Sequence, residues 1–363
     1  MKKTLINILL IILIGTFTSC SNFTDKYRKG VRKIVNLEFS EPIELNLEKI
    51  YTIDSTEVSK PVQACLNSKD ELYVLEYFSQ KVKVFDQKGK FLNKYDNICD
   101  SSNISSFTLF NDTLFVSCIE DKSYRTINKK GNILRKIMLK DELPIDISFI
   151  DEDNIIGLFR TNLVKRKELY VNLDLKLVDK QFNSKKLISS FFNSLYKMNF
   201  DPEITMFPHA VNKKNSLIYL GVTSPEKYSI FAYDMDMELQ FVIDNKADTI
   251  SVTKDEFKLK LKRAKEFKLP LSKGLEFKDN IENLLCDAEG NIWVRRGVDY
   301  SKYSFDTAIL DVFKYNGKYI KSFFVKNTSR LGDFKIFNDK FVVLDPEISK
   351  VNVYKMNLPE IIK

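Results

Sequence analysis

The residue types that most often carry catalysis are scarce in this sequence. His209 is the only histidine, which excludes a zinc site built from several histidines. No Gly-x-Ser-x-Gly, P-loop or Gly-x-Gly-x-x-Gly motif occurs, and a lone histidine in the tetrapeptide Phe-Pro-His-Ala is expected to be structural. The 49 Asp and Glu residues leave a carboxylate-only or calcium-dependent hydrolase open.

Six polar residues stand at equivalent positions of a repeated sequence unit. Each begins an otherwise apolar stretch, which we interpret as the inner strand of a sheet. Inner strands of a closed ring of sheets surround a central channel, so these side chains should converge near one of its mouths. They would then form either a ligand or cation site or the wall of a water-filled polar channel. The six candidates are Gln63, Ser106, Asp146, His209, Asn283 and Asp333.

The repeated unit is clearest at residues 286–295, Cys-Asp-Ala-Glu-Gly-Asn-Ile-Trp-Val-Arg. Its Asp-x-x-Gly-Asn segment is typical of a turn, because glycine adopts a positive φ at low cost, and the Ile-Trp-Val that follows favours a strand. A second strand–turn–strand pattern follows each copy, most clearly at 81–95 and 309–323. Every unit therefore predicts four antiparallel strands. The second strand carries an apolar anchor, which is Tyr73, Phe115, Ile156, Tyr219, Trp293 or Val342.

Six such units predict an all-β chain, a six-bladed β-propeller of four-stranded antiparallel blades. Several anchors recur at the interval of about 40–50 residues that a propeller blade requires. The longer intervals indicate insertions at about 183–203 and 244–279. Residues 39–53 also have the pattern of a strand, which we expect to join the last blade and so close the ring without a long exposed edge.

The second insertion, between blades 4 and 5, predicts a helix. Thr253 and Glu256 form a capping box, and a helix packed across one propeller face is expected. A basic helix lying on lipid or on an acidic partner is the alternative. The apolar residues that share one helical face are Phe257, Leu261, Ala264 and Phe267. In the first insertion, the residues dense enough to pack on a blade or cover a channel mouth are Phe191, Phe192, Leu195, Tyr196 and Met198.

The N-terminus has the pattern of a bacterial lipoprotein signal. Lys2 and Lys3 precede an apolar run that is shorter than the roughly 20 residues of a membrane span. The run leads to Phe-Thr-Ser-Cys, which resembles a lipobox ending at Cys20. We therefore predict a signal peptide at 1–19, lipidation of Cys20, a tether at 20–38 and the propeller at 39–363. An ordinary secretory signal with a chance cysteine is the alternative.

Charge and cysteine content limit the partners and the disulfide content. The formal net charge of +8 is spread among many acids without an arginine-rich block, so nucleic acid is not expected to be a partner. Four further cysteines have no tight spacing and do not make a disulfide framework. Cys65, Cys118 and Cys286 lie in apolar strand-like runs and are expected to be buried thiols, whereas Cys99 lies outside such a run.

The repeat resembles NHL-type repeats, in particular Lys-Val-Lys-Val-Phe-Asp-Gln-Lys-Gly-Lys-Phe-Leu at 81–92. With the lipobox, the whole layout is similar to a family of Gram-negative six-bladed β-propeller lipoproteins, whose Asp-x-x-Gly-x-(Ile/Leu)-Trp-Val motif matches residues 287–294. The resemblance implies an outer-membrane lipoprotein on the periplasmic or surface side. It is weak for activity, since propellers host unrelated functions.

The sequence favours a binding role over catalysis. We expect a monomeric binding or scaffold module for a glycan, a peptide or an envelope protein, held on the membrane by its lipid and needing no cofactor. The alternative is a metal-assisted, calcium-dependent hydrolase or lactonase with its site at the channel mouth. The sequence alone does not decide between these two classes.

Trp293 is the only tryptophan and has two interpretations. A tryptophan ring can stack on the apolar face of a sugar. However, Trp293 occupies the anchor position, which is apolar in every repeat. We therefore predict that it packs between neighbouring blades.

Overall fold

The computed structural model describes a large part of the chain beyond the N-terminal segment. The signal peptide, Cys20 and most of the tether lie outside the described residues. No helix within the described part is both long and apolar enough to cross a membrane. The described residues are 31–36, 39–100, 103–140, 142–165, 168–194, 208–266, 276–326, 333–360 and 362.

Six sheets of antiparallel strands form the six-bladed β-propeller that the repeats predicted. Three strands precede the first blade: β1 (Arg32–Ile34), β2 (Ile43–Glu44) and β3 (Leu47–Ile53). The blades follow, inner strand first. Blade 1 holds β4 (Pro61–Leu66), β5 (Leu72–Glu76), β6 (Val82–Phe85) and β7 (Phe91–Tyr95). Blade 2 holds β8 (Ile104–Phe110), β9 (Thr113–Cys118), β10 (Ser123–Ile127) and β11 (Ile133–Met138). Blade 3 holds β12 (Leu143–Phe149), β13 (Ile155–Lys165), β14 (Glu168–Val178) and β15 (Ser184–Ser194).

The last three blades continue this order. Blade 4 holds β16 (His209–Asn212), β17 (Leu217–Gly221), β18 (Tyr228–Tyr233) and β19 (Leu239–Asn245). The helix α1 (Lys254–Glu266) follows, between blades 4 and 5. Blade 5 holds β20 (Asn283–Cys286), β21 (Ile292–Arg296), β22 (Ala308–Phe313) and β23 (Tyr319–Val325). Blade 6 holds β24 (Phe334–Phe337), β25 (Lys340–Asp345) and β26 (Lys350–Met356).

The strands β1, β2 and β3 add to the outer edges of three blades, and β3 closes the ring. β3 pairs antiparallel with β26 as the outer strand of blade 6, which confirms the strand expected from 39–53. β1 pairs in parallel with β19 and β2 with β23, so blades 4 and 5 each gain a fifth strand. β1 lies within the stretch predicted to be only a tether.

The blades pack through apolar side chains that alternate between the two faces of each sheet. Tyr73 and Leu75 of blade 1 pack against Phe107 of blade 2. Their neighbours Leu72 and Val74 pack instead toward blade 6. Because every blade lies between two others, both of its faces must be apolar, which explains the dense apolar pattern of the inner strands.

One turn geometry recurs in the outer hairpins and fixes their register. In blade 1, Asp86 accepts the backbone N–H groups of Lys88 and Lys90 at 2.8 and 2.9 Å. The fourth residue of the turn has a positive φ, +81° at Gly89, which glycine adopts without strain. The residues that make the same two bonds in blades 2, 3 and 4 are Asn128, Asp179 and Asp234.

Blade 3 differs from the sequence prediction. Residues 184–194, assigned there to the first insertion, form β15, and the outer hairpin is β14–β15 rather than 168–182. The register between these strands shifts twice, and such shifts interrupt the period of two that marks a strand in the sequence. Residues 195–203 of that insertion, and the side chains of the five apolar residues named in it, lie outside the described structure.

The helix α1 begins at the predicted capping box, but its buried face differs from the prediction. The Glu256 N–H donates to Thr253 Oγ1 at 3.2 Å, and the Thr253 N–H donates to Glu256 Oε2 at 3.4 Å. Glu256 and Lys260 are buried, whereas Phe257 and Leu261 are half-buried. The side chains of Ala264 and Phe267 are not among those described. The buried face is polar because Lys278, on the segment that leads to blade 5, pairs with Glu256 at 2.8 Å.

Candidate functional site

Five of the six polar candidates occupy one register position on the inner strands. Each lies opposite a residue of the second strand: Gln63 opposite Leu75, Ser106 opposite Ser117, Asp146 opposite Leu158, Asn283 opposite Arg295, and Asp333 opposite Leu344. The pairings show that these five residues share one register; their convergence at one mouth of the channel stays a prediction.

His209 is one residue out of this register. It pairs with Leu220, and the equivalent position is held by Pro208, whose carbonyl accepts the Gly221 N–H at 2.8 Å. The hairpin between Ala210 and Tyr219 is one residue longer than its counterpart between Cys65 and Tyr73, and the sequence alignment did not allow for that residue. The His209 side chain therefore turns to blade 3, where Nε2 lies 3.4 Å from Ser148 Oγ.

The polar side chains of this register are largely held by backbone groups. The Gln63 side chain donates to the Phe107 carbonyl at 2.9 Å and accepts the Phe107 N–H at 3.0 Å, which ties blade 1 to blade 2. Asp146, Asn283 and Asp333 each accept the N–H of the next residue at 2.8–2.9 Å. Ser106 is buried, and its hydroxyl has no hydrogen-bond partner among the described residues.

Lys335 is a channel residue that the sequence analysis missed. Its ammonium lies 2.9 Å from Asp333 Oδ2, and its side chain is 27% exposed. Burial opposes the charged form, yet the nearby carboxylates of Asp333 and Asp146 hold the pKa of Lys335 above its usual value. Asp146 belongs to blade 3 and Lys335 to blade 6, on opposite sides of a six-bladed ring. Lys335 therefore extends into the channel. The sequence did contain a signal for this: Lys335 is a charged residue two positions after Asp333, and so lies on the same face of the strand.

These residues fit a calcium site poorly. Calcium takes six to eight oxygen ligands, whereas here the ammonium of Lys335 accompanies the carboxylates Asp146 and Asp333 and opposes a second cation. One group of three close metal-ligating side chains occurs within the described ranges, Cys99, Cys118 and Asp121. Two of its members are joined in a disulfide, so it cannot bind a metal either.

The disulfide between Cys99 and Cys118 corrects the expectation of a buried thiol at Cys118. The two Cα atoms are 5.6 Å apart, within the range for a disulfide. The bridge joins the loop after blade 1 to the end of β9. Cys65 and Cys286 are free, and burial raises the pKa of both thiols, that of Cys65 to about 12. A raised pKa disfavours the thiolate, so neither cysteine has the lowered pKa of an activated nucleophile.

The buried residue Arg125 stabilises the region around this disulfide. The Arg125 guanidinium donates to the Ile98 carbonyl at 2.7 Å and pairs with Asp100 and Asp121, each at 2.6 Å. Its neighbour Lys136 also pairs with Asp100, at 2.8 Å. The arrangement fixes the chain between blades 1 and 2, so we interpret the bridge and this cluster as structural.

Trp293 is a core residue, as predicted. Its side chain is fully buried among apolar residues of blades 5 and 6, and its ring stacks on Phe323 with centroids 5.9 Å apart. It has no surface to offer a sugar.

No family model matches the chain, and no curated protein matches it significantly. Solved structures share its fold. A Bacteroides fragilis protein described as exported is 13% identical, with 90% of this chain and all of that chain covered and a TM-score of 0.51. A streptogramin B lyase is 8% identical, with 88% and 100% covered and a TM-score of 0.50. Regucalcin, a calcium-binding protein from Agrobacterium tumefaciens, is 9% identical, with 90% and 100% covered and a TM-score of 0.49. At these identities the likeness concerns the fold alone.

Proposed function

We propose that this protein is an exported, lipid-anchored β-propeller of the bacterial cell envelope that acts as a binding module. The lipobox-like ending at Cys20 supports the anchor, and one diacylglyceryl group plus an N-acyl chain is enough for stable membrane attachment. The Cys99–Cys118 disulfide supports export, since such bonds persist mainly in oxidising compartments. The Bacteroides fragilis neighbour, described as exported, is compatible with export, whereas the outer-membrane location is proposed from the lipobox and its resemblance to lipoproteins.

The hydrogen bonds that hold the polar channel residues support a binding function rather than catalysis. Gln63, Asp146, Asn283 and Asp333 are held in place by backbone groups, and Lys335 is held by Asp333. A set of side chains fixed in this way is preorganised to hydrogen-bond a ligand. Two possible nucleophiles lack the features of an activated one. Burial raises the pKa of the Cys65 thiol, and Ser148 Oγ lies 3.4 Å from His209 Nε2, farther than the roughly 2.6–3.2 Å typical of a serine and its base.

The partner at the channel mouth is a glycan, a peptide or a loop of an envelope protein. Carboxylate, amide and ammonium groups side by side suit a ligand rich in hydroxyl or amide groups, which donates and accepts hydrogen bonds alternately. A metal-assisted hydrolase or lactonase is the competing class, and the poor fit of the channel to calcium weighs against it.

Thermal-shift measurements on the purified full chain test the proposal, with soluble oligosaccharides, peptides and calcium chloride as separate probes. A ligand at 100 times its Kd adds about 2.7 kcal/mol to stability. We expect such stabilisation from a glycan or peptide, and its loss in Asp146→Asn/Asp333→Asn. The control Asp236→Asn/Asp248→Asn removes the same charge from exposed positions and should bind normally. Stabilisation by calcium alone, together with lactone hydrolysis that only the channel variant loses, would establish the enzyme instead.

Cell fractionation tests the anchor. Cys20→Ala should move the protein from the membrane to the soluble fraction. If the variant remains on the membrane, the lipid anchor is wrong, whereas the channel experiment above is unaffected.

A further inference from the structure

The outer edges of blades 4 and 5 show how this propeller accepts an added strand. β1 joins β19 in parallel, and its Lys33 pairs with Asp244 of blade 4 at 2.5 Å. β2 joins β23 in parallel, and its Glu44 pairs with Lys326 at 3.4 Å. In both cases the added strand carries the charge opposite to that of the edge beside it.

The edge of blade 2 has no added strand in the described structure, although β11 is the outer strand of its blade, as β19 and β23 are of theirs. β11 is the last strand of its sheet. Its apolar side chains are open to solvent, with Ile133 47%, Leu134 61% and Met138 59% exposed. On the covered edge β19, by contrast, Phe241 is 7% and Ile243 0% exposed.

The backbone of β11 also presents free donors. The Leu139 N–H bonds inward to the Lys122 carbonyl at 2.7 Å, and N–H directions alternate along an antiparallel strand. The N–H groups of Lys136 and Met138 therefore point away from the sheet, whereas Leu134 lies in a bulge where the register shifts. The exposed basic residues of this edge are Arg135, Lys136 and Lys140. Lys136 already pairs with Asp100, so Arg135 and Lys140 are the ones that can meet an acidic partner.

We propose that β11 binds an extended acidic peptide, which adds to blade 2 in parallel as β1 adds to blade 4. The free N–H groups supply the main-chain bonds. Leu134 and Met138 receive the apolar side chains of the peptide, and Arg135 and Lys140 receive its carboxylates. This surface is on the rim, so the inference goes beyond the channel site and does not depend on it.

A charge-reversed copy of the chain's own strand is a suitable probe. Residues 31–36 read Val-Arg-Lys-Ile-Val-Asn, and the probe is fluorescein-labelled Val-Glu-Glu-Ile-Val-Asn, with the native hexapeptide as its matched control. Fluorescence anisotropy with the purified full chain should show binding of the acidic probe, and binding of the native peptide should be about tenfold weaker, because like charges meet across the strands. Amide exchange at Lys136 and Met138 should slow when the acidic probe is bound.

Two rim variants and one control complete the experiment. Leu134→Glu/Met138→Glu changes exposed positions only and should weaken the acidic probe about tenfold, and Met138→Pro should do so by removing a free N–H. Ile348→Glu, at a residue 61% exposed on blade 6, should bind normally. Absence of binding by the acidic probe, equal binding of both peptides, or unchanged binding by the rim variants would overturn the inference. The channel variant Asp146→Asn/Asp333→Asn should keep full probe binding, so failure of the channel proposal is seen separately.

Discussion

The indole N–H of Trp293 donates a hydrogen bond of 2.8 Å to the carboxylate of Asp287. The same carboxylate accepts the backbone N–H and the side-chain amide of Asn291 at 2.8 and 2.9 Å, and all three residues are buried. Gly290 lies between them with a φ of +82°. The Asp-x-x-Gly-Asn-x-Trp sequence is thus one structural unit, in which the turn carboxylate satisfies the polar atom of the largest core side chain.

Truncation of the Trp293 side chain should strongly destabilise the protein. Trp293→Ala is expected to lower the free energy of unfolding by about 3–5 kcal/mol, because it leaves a cavity between blades 5 and 6. Trp293→Phe keeps an aromatic ring and should cost less, mainly the lost hydrogen bond. Urea unfolding followed by circular dichroism measures both. Wild-type fluorescence should be blue-shifted and poorly quenched by iodide; water-like emission would contradict the buried position.

The disulfide should contribute measurable stability. Its loop spans a sequence separation of 19 residues, for which the chain-entropy estimate is about 3 kcal/mol. Cys99→Ala/Cys118→Ala should therefore unfold at lower urea concentration than the wild type. A reductant should destabilise the wild type but not this variant. As the matched control, Cys65→Ala/Cys286→Ala should keep the full response to reductant, and a wild type indifferent to reductant would refute the bridge.

The buried pair Glu256–Lys278 should show strong coupling. Lys278 also lies 3.8 Å from the centroid of the Tyr300 ring. Glu256→Gln leaves a buried ammonium without its carboxylate, which typically costs about 3–5 kcal/mol. Glu256→Gln/Lys278→Met should lose less than the sum of the two single variants, although Lys260, 3.7 Å from Glu256, loses its carboxylate in both Glu256 variants. Additive losses in this double-mutant cycle would show that the pair is not coupled.

The Glu256–Lys278 pair should also make the free energy of unfolding depend on pH, in a direction that can be worked out. Burial lowers the pKa of Lys278, against the opposing effect of Glu256. The unfolded chain then binds more protons than the folded one between the lowered pKa and the ordinary lysine value, so this residue makes stability rise with pH in that window. The slope should be steeper in Glu256→Gln and absent in Lys278→Met, which urea midpoints at several pH values would show.

The pKa of the Asp100 carboxyl should lie well below the ordinary value for Asp. Hydrogen bonds from Arg125 first and Lys136 second lower the pKa of this carboxyl to about 2. Its stabilising effect is complete above the ordinary carboxyl pKa and is lost as the pH falls through about 2. An NMR titration should give this value, and Lys136→Met should raise it. A wild-type value near the ordinary one would mean that Arg125 does not hold Asp100 in solution.

The local pattern of the sequence was enough to predict the blades, because each needs only its own turns and its own alternation of apolar residues. The turn at 287–291, the capping box of Thr253 and Glu256, and the burial of Trp293 are short-range features and were predicted correctly. His209 was misplaced, because one extra residue in a hairpin changes which face a side chain takes. β15 was missed where register shifts interrupt the strand period.

The sequence by itself determined a six-bladed β-propeller, with a strand from 39–53 in its last blade. Only the tertiary structure decided which distant residues meet: Lys335 with Asp146 across the channel, Cys99 with Cys118, and β1 with β19. Such contacts join segments that are unrelated in sequence, and they exist only once ring closure brings those segments together. A three-residue parallel strand or a single lysine has no periodicity of its own, so its partner depends on geometry that no local pattern contains.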